Sequence, residues 1–368
     1  MSALLCKRLF HPIITTMSRI TNKPNRLQMA DIARMAGVSA STVSRALSGS
    51  SLVNVETKER IADLARQMNY QVNIGAANLR KGAIRNVGVI VLGQSLQSIS
   101  DPFILSLIGH IADALDAKGL NLLLQRITPE REPNIAQLYA TGQVSGLLII
   151  GQLTRHETLN ELHDQHVPMV VWGAKLPDSH YPVVGGDNYL GGLIATSHLV
   201  EQGCRELAFL GDVQHPEVML RYQGYLQAHV LAGLQSDPRL YKPITFGDQA
   251  MRQTLSDWLE HGVHFDGILA TSDVAAHSLI AALKEKQLSV PQDIRVVGYD
   301  DVQMSSYLHP TLTSVRQPTE QAGHIMVELL LKRLNHEDVQ SVMLPTTLSI
   351  RESSTVHNAA AAVINLPE

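Results

Sequence analysis

Four hydroxyl residues, Ser39, Ser41, Thr42 and Ser44, stand beside Arg45 in the stretch VSASTVSRAL at positions 38–47. Short hydroxyl side chains bond phosphates and base edges without holding a helix away from a groove. An arginine bonds guanine O6 and N7 bidentately. A second group of reactive types is spread along the rest of the chain. Asp101, Asp187, Asp212, Asp273 and the pair Asp300-Asp301 recur towards the ends of the apolar runs, and Arg221 and Gln317 lie among them. Carboxylates accept from hydroxyls, arginine bonds ring oxygens and aromatic rings stack on C–H faces, so such a group suits a sugar. For any one aspartate alone, a turn or N-cap role is the simpler reading.

The first group needs a helix to present it, and the local pattern supplies one. Ile32 and Ala36 share a face at i, i+4 of a first helix, Asp31 to Ala36. Gly37 permits a left-handed turn, Val38 plugs it and Ser39 is a good N-cap. The next helix, Ala40 to Leu47, buries Val43, Ala46 and Leu47 and exposes Ser41, Thr42, Ser44 and Arg45. A third helix, Val55 to Asn69, is capped by Asn54 and carries Ile61, Leu64, Ala65 and Met68 as an apolar stripe. Helix, glycine turn and short hydroxyl-rich helix form a helix-turn-helix pattern. For the ten residues alone, a small bundle with solvated serines competes with it.

Charge favours the first alternative. Between Arg19 and Arg85 there are eleven basic and four acidic residues, a net +7 that leaves −11 for the rest of a chain whose formal charge is −4. A basic head on an acidic body implies a nucleic-acid module joined to something that is not one.

The second group needs a parallel sheet. NVGVIVLG, LNLLLQR, GLLIIGQ, PMVVWG, ELAFLGD, KPITFGD, DGILATSD and IRVVGYDD are short apolar runs. Helical patterns separate them at 104–118, 131–142, 156–166, 217–233, 249–262 and 274–287. Strands buried on both faces and joined by helices make an α/β sheet with ligands outside its carboxyl ends. The runs are too numerous for one small sheet, so two sheets facing a cleft are expected. GGDNYLGG lacks the spacing of a phosphate loop and reads as turn chemistry.

Other classes are weakened. No G-x-S-x-G, H-E-x-x-H or Walker loop is present. Neighbouring aspartates at a strand end point apart, which argues against a glycosidase pair at Asp300-Asp301. His163 and His166 read as a solvated helix face. Cys6 and Cys204 suggest neither a disulfide framework nor a metal site, with Cys204 a small buried residue. No apolar run approaches membrane-span length. Residues 1–27 read as a disordered extension, or as sequence upstream of a start at Met17.

Taken in order, DIARMAGVSASTVSRALSGSSLVNVETKERIADLARQMNY and NIGAANLRKG (73–82) resemble the DNA-binding domain and hinge helix of the LacI/GalR family of bacterial transcription regulators. DPF (101–103), DNYLGG (187–192), RYQGY (221–225), TSD (271–273), VPQDIRVVGYDD (290–301) and LTSVRQP (312–318) resemble its effector domain, itself similar to periplasmic sugar-binding proteins. The likeness covers about residues 28 to 352. It implies an all-α helix-turn-helix head (28–72), a hinge and linker (73–85), a periplasmic-binding-protein-like body of two interleaved Rossmann-like subdomains (86–356) and a flexible tail (357–368). The implied DNA contacts are Ser39, Ala40, Ser41, Thr42, Ser44, Arg45, Asn54, Thr57, Tyr70, Asn73 and Leu79, the last as a minor-groove wedge. The implied effector contacts are Asp101, Phe103, Trp172, Asp187, Arg221, Asp273, Asp300 and Gln317. Departures from the family pattern are Gln28 at the usual threonine cap, Val72 at the usual proline, Ala76-Ala77 in the hinge and Asp101 where asparagine is frequent.

The resemblance implies a cytoplasmic homodimer that binds double-stranded operator DNA and a small sugar, and acts as a repressor of carbohydrate-utilisation genes. It implies no enzyme activity, cofactor, metal ion or membrane. The alternative is a sugar-binding module of a transport system, without the regulatory role. The tail from Ser354 carries no leucine heptads for a coiled coil. The loop WGAKLPDSHYPVVGGDN is expected beside the cleft, where it would set specificity.

Overall fold

A computed structural model describes residues 29–47, 50, 52–67, 85–93, 99–128, 135–152, 155–243 and 248–355. It divides into two compact units, Met1–Ala83 and Ile84–Glu368.

The described residues of the first unit form three helices: α1 (Met29–Ala36), α2 (Ala40–Leu47) and α3 (Val55–Gln67). Gly37 adopts φ +64°, the left-handed turn that ends α1. Ser39 opens α2, its Oγ accepting from the Thr42 amide at 3.1 Å. Asn54 does the same for α3, accepting from the Thr57 amide at 2.8 Å. Arg60 donates to the Ala36 carbonyl at 3.2 Å, a cation at the carboxyl end of α1 where the helix dipole favours it. Ile32, Ala33, Ala36, Val43, Ala46, Val53 and Ile61 form one buried core, with Val38, Leu47 and Leu64 packed against it. Met68 lies outside the described residues. Ser39→Ala is expected to cost about 1 kcal/mol. Chemical unfolding followed by far-ultraviolet dichroism of the first unit checks it; an unchanged midpoint would contradict the capping role.

The second unit contains two six-stranded sheets. The first runs β11-β5-β4-β3-β1-β2 and the second β12-β10-β9-β8-β6-β7. In chain order the first holds β1 (Asn86–Leu92), β2 (Asn121–Ile127), β3 (Leu147–Ile150), β4 (Met169–Trp172), β5 (Val183–Gly186) and β11 (Val342–Leu344). The second holds β6 (Leu207–Leu210), β7 (Tyr241–Lys242), β8 (Gly267–Ala270), β9 (Arg295–Asp300), β10 (Thr313–Arg316) and β12 (Thr347–Ser349). All pairings are parallel except β10 with β12. The crossover helices are α4 (Pro102–Asp116), α5 (Ile135–Ala140), α6 (His156–Asp164), α7 (Asn188–Glu201), α8 (Pro216–Ala232), α9 (Asp248–Glu260), α10 (Asp273–Glu285) and α11 (Thr319–Leu334). They cover both faces of each sheet, so β3, β4, β5, β6 and β8 are wholly buried.

The chain passes between the sheets three times: after β5, after β10 and after β11. The three crossings meet. The Asp187 amide donates to the Leu344 carbonyl at 2.8 Å, and Thr346 Oγ1 donates to the Asp187 carbonyl at 3.1 Å. A side chain at Gly186 would press on Gln317 and Thr346. GGDNYLGG therefore corrects the turn reading. Gly185-Gly186 end a buried strand, Asp187 caps α7, and Gly191-Gly192 lie inside α7. The second glycine pair is there for packing: a Cβ on Gly192 would strike the Arg221 carbonyl of α8.

Candidate functional site

Arg221 and Asp300 lie close enough for the guanidinium to oppose the burial that raises the Asp300 carboxyl. Arg221 lies on the inner face of α8 and is 8% exposed. Its Nε donates to Asn188 Oδ1 at 2.8 Å, its Nη1 donates to the Thr271 carbonyl at 2.6 Å, and its guanidinium lies 3.6 Å from the centre of the Tyr299 ring. Asn188 Nδ2 donates in turn to the Gly186 carbonyl at 3.1 Å. The guanidinium is thus locked by α7, β8 and β9 before any ligand arrives, which lowers the ordering cost of binding. Buried beneath it, the Tyr299 hydroxyl is pushed up to about 12.

Asp300 ends β9 with φ +110° and Asp301 follows with φ +52°, both in the region that favours glycine. Two successive strained aspartates are held by distinct partners. Asp300 Oδ1 accepts from Gln317 Nε2 at 2.7 Å. Asp301 accepts from Arg316 at 2.7 Å and Ser349 at 2.8 Å, and pairs with Arg351 at 2.6 Å. The two carboxylates therefore turn apart, as expected. Burial raises the Asp300 carboxyl well above the usual range; Arg221 opposes this, while Asp273 and Asp101 add to it. The hydrogen bonds and arginines around Asp301 hold its carboxyl below the usual range despite burial.

Asp101 and Asp187 are N-caps. Asp101 Oδ1 accepts from the Phe103 and Ile104 amides at 2.9 and 3.3 Å, and Asp187 Oδ1 from the Leu190 amide at 2.9 Å. Phe103 brings Trp172 into the group, with ring centres 5.9 Å apart. Trp172 belongs mainly to the core of the first subdomain and is 6% exposed. Phe103, Asp300 and Gln317 line one cavity between the subdomains, about 790 Å³ in volume.

Asp273 differs from the other carboxylates. It is fully buried. Its oxygens accept from the Val302 amide at 2.8 Å, Ser305 Oγ at 2.7 Å and Ser314 Oγ at 2.5 Å, and His277 reaches Ser305 at 3.3 Å. The carboxylate ties α10 to the segments that carry Asp300 and Gln317. Burial pushes it up to about 6, with the two serines, the Val302 amide and Asp301 as lesser influences. A carboxyl raised in the folded state binds more protons there than in the unfolded chain. Its contribution to stability is therefore present below about pH 4 and lost as pH rises through about 6. Asp273→Asn is expected to remove that downward slope. Urea unfolding of both proteins from pH 4 to 7.5 checks it. Parallel curves would contradict the assignment.

Several residues of the site lay outside the expectations. Asn188, Thr271 and Tyr299 hold Arg221. Gln152, fully buried at the end of β3, donates to the Ala174 carbonyl at 2.8 Å and to Tyr181 Oη at 2.9 Å, fastening the loop after β4. His156 Nδ1 meets the same hydroxyl at 2.8 Å. Glu217 stands four residues before Arg221 on one face of α8. Burial raises its carboxyl, and Arg221 and His215 oppose this. The i, i+4 spacing of Glu217 and Arg221 was the available signal.

Other expected features fall as follows. Ser41 and Arg45 are exposed on α2, and Thr42 is half-buried, its Oγ1 2.8 Å from Ser39 Oγ. Ala40 and Asn54 are exposed, and Thr57 is half-buried. Ser44 lies on α2. Tyr70, Asn73 and Leu79 lie outside the described residues, as does the hinge. His163 and His166 do not share a solvated face: His163 is half-buried, its ring held low by burial, and His166 follows the helix with φ +62°. Cys204 is buried and its thiol is pushed up to about 11 by burial. Among the described residues there is no cluster of metal-ligating side chains, and no helix long and apolar enough to cross a membrane.

A helix-turn-helix unit in one chain with two parallel α/β subdomains around a polar cleft defines a DNA-binding protein with a periplasmic-binding-like body. Residues 28–73 match the bacterial regulatory proteins of the lacI family, and residues 196–354 match the periplasmic binding protein-like domain. The regulator CelR of Thermobifida fusca is 32% identical over 333 residues, covering 88% of this chain and 96% of its own. The chain belongs to the lacI family. Its fold matches the Lac repressor dimer bound to operator and the anti-inducer ONPF, with TM-score 0.80 and 23% identity over 90% of this chain and 99% of that one. It also matches a CelR–cellobiose complex, with TM-score 0.65 and 28% identity over 89% and 100%.

Proposed function

We propose that this protein is a cytoplasmic, homodimeric repressor of carbohydrate-utilisation genes. Its operator affinity is set by a neutral sugar bound between the subdomains of its body. The observation that carries this reading is the cleft chemistry around Arg221, Asp300 and Gln317 in a chain that also presents Ser41 and Arg45 on an exposed helix face. Asp300 and Gln317, hydrogen-bonded to each other and lining the cavity, offer the acceptors and donors that hydroxyls need. The cellobiose in the related CelR complex supports the same ligand class. The first unit separates this reading from a transport-binding module.

Two heads would read the halves of a pseudo-palindrome, Ser41, Thr42, Ser44 and Arg45 at base edges, with Ser39, Asn54 and Thr57 positioning them. Tyr70, Asn73 and Leu79 would add backbone and minor-groove contacts. Ligand would act by favouring one arrangement of the subdomains over the other. Arg221, Asp300, Gln317 and Asp187 would meet the sugar's hydroxyls, Phe103 and Trp172 its C–H face, while Asp273 and Asp101 hold the segments that carry them. A thermal-shift panel of mono- and disaccharides on the full chain tests the reading. A sugar at one hundred times its Kd stabilises by about 2.7 kcal/mol. A panel that moves the melting temperature nowhere would contradict it.

A further inference from the structure

Two consecutive aspartates with positive φ have to be held there by their surroundings. Asp300, at φ +110°, lies beyond the φ range of the left-handed region that aspartate tolerates, and Asp301 follows at φ +52°. Such a backbone persists only where neighbouring groups over-determine it. Three anchors act just after Asp300. The Asp301 amide donates to Ser314 Oγ at 2.9 Å, and the Val302 amide donates to Asp273 at 2.8 Å. The third anchor is the Asp301 carboxylate, whose side chain is 2% exposed. Its two cations are unequal. Arg316 is 60% exposed, so its pair contributes little. Arg351 is 20% exposed and meets the carboxylate at 2.6 Å.

Arg351 is itself fixed from several sides. Its Nη1 donates to the Leu312 carbonyl at 2.6 Å, and its amide donates to Thr313 Oγ1 at 2.8 Å. The residues that follow are stitched to the same sheet. The Ser353 amide donates to the Thr311 carbonyl at 2.9 Å. Ser353 Oγ accepts from the Thr313 amide at 2.9 Å and donates to the Val296 carbonyl at 2.7 Å. Ser354 Oγ lies 2.7 Å from both Thr313 Oγ1 and His198 Nε2, which extends the hold to α7. The segment after β12 therefore presents a rigid cation to Asp301. Arg351 does not line the cavity that Asp300 and Gln317 share.

We infer that Arg351 is a positioning residue for the sugar site: by fixing Asp301 it holds the strained backbone that aims the Asp300 carboxylate, without touching the sugar. The inference rests on the function proposed above. Cutting the tie leaves the chemistry of Asp300 intact and releases its backbone. The sugar then meets a mixture of backbone states, and its affinity falls in proportion to the fraction that is competent.

Isothermal titration of the full chain tests the inference. Cellobiose, maltose, sucrose, lactose, glucose, fructose and galactose are titrated first, and whichever binds is titrated into the variants. Arg351→Met is expected to weaken it by about tenfold or more. Either an unpaired buried carboxylate or a relaxed backbone produces such a loss, and Asp301 separates them. The double variant Arg351→Met, Asp301→Ala removes the carboxylate but keeps the Cβ that disfavours positive φ. The double variant Arg351→Met, Asp301→Gly removes both. The glycine variant is expected to return to within about threefold of the unsubstituted chain, while the alanine variant stays about tenfold weaker. Asp301→Ala and Asp301→Gly with Arg351 kept cut the same tie from its other end. They must repeat the contrast, which keeps the test decisive if the methionine variants do not fold. Unchanged affinity in a folded Arg351→Met, or equal affinities in the alanine and glycine variants, overturns the positioning role and leaves the sugar-responsive reading standing. Absence of binding by every sugar overturns both.

Discussion

Arg221→Ala is expected to leave operator binding intact and to abolish the response to sugar. The guanidinium makes two charge-assisted hydrogen bonds and stacks on Tyr299. A hydrogen bond to a charged group contributes about 1.5–3 kcal/mol, so loss of the ligand's share alone weakens sugar binding about ten- to one-hundredfold. The substitution also frees Asn188 Oδ1 from Arg221 and leaves it the Tyr299 hydroxyl at 3.4 Å, while Asn188 Nδ2 keeps the Gly186 carbonyl. The cleft loses its preset geometry as well as its charge. Arg221→Lys separates the two effects: an ammonium restores charge without the planar fork. Calorimetric titration of the sugar, beside operator binding by fluorescence anisotropy, measures both. Unchanged sugar affinity in the alanine variant would reject the assignment.

Arg45→Ala gives the opposite pattern, with loss of operator binding and an unaltered sugar titration. Arg45 is exposed on the last turn of α2, with Ser41 on the same short helix. A bidentate arginine–guanine pair contributes about 1–3 kcal/mol of discrimination, so each helix-turn-helix unit's hold on its half-site weakens by about that much. An exposed side chain away from the core of the first unit changes stability by about 0.5 kcal/mol or less, which keeps the loss from being one of folding. Retained operator affinity would remove Arg45 from the interface. A loss uniform across unrelated sequences, with a shallower salt dependence, would make it a phosphate contact instead.

The elements with local signals were legible in the sequence. Gly37, Ser39 and Asn54 act through residues two to four positions away, and the structure places each as its type demands. The apolar runs gave β1, β3, β4, β6, β8 and β9 because strands buried on both faces need no alternation. Asp101 and Asp187 took the capping roles open to any aspartate after a strand. What escaped depends on distant partners. The role of Asp273 is set by Ser305 and Ser314, 32 and 41 residues away. The glycines of GGDNYLGG looked like turn chemistry because the backbone they admit, the Arg221 carbonyl, belongs to another helix. β11 and β12, three residues each, are too short to carry a pattern, and β5 ends in two glycines, yet β5 and β11 bound the crossings that bring Asp187 and Gln317 together.

The central claim is that one molecule reads DNA through α2 and alters that reading through its cleft. Selection of binding sequences from random duplex DNA by the full chain, repeated with and without the sugar that stabilises it, tests this most directly. The account predicts enrichment of a pseudo-palindrome whose occupancy changes at least tenfold with the sugar, and no such change in Arg221→Ala. Equal occupancy with and without saturating sugar, or no symmetric sequence enriched at all, would contradict it.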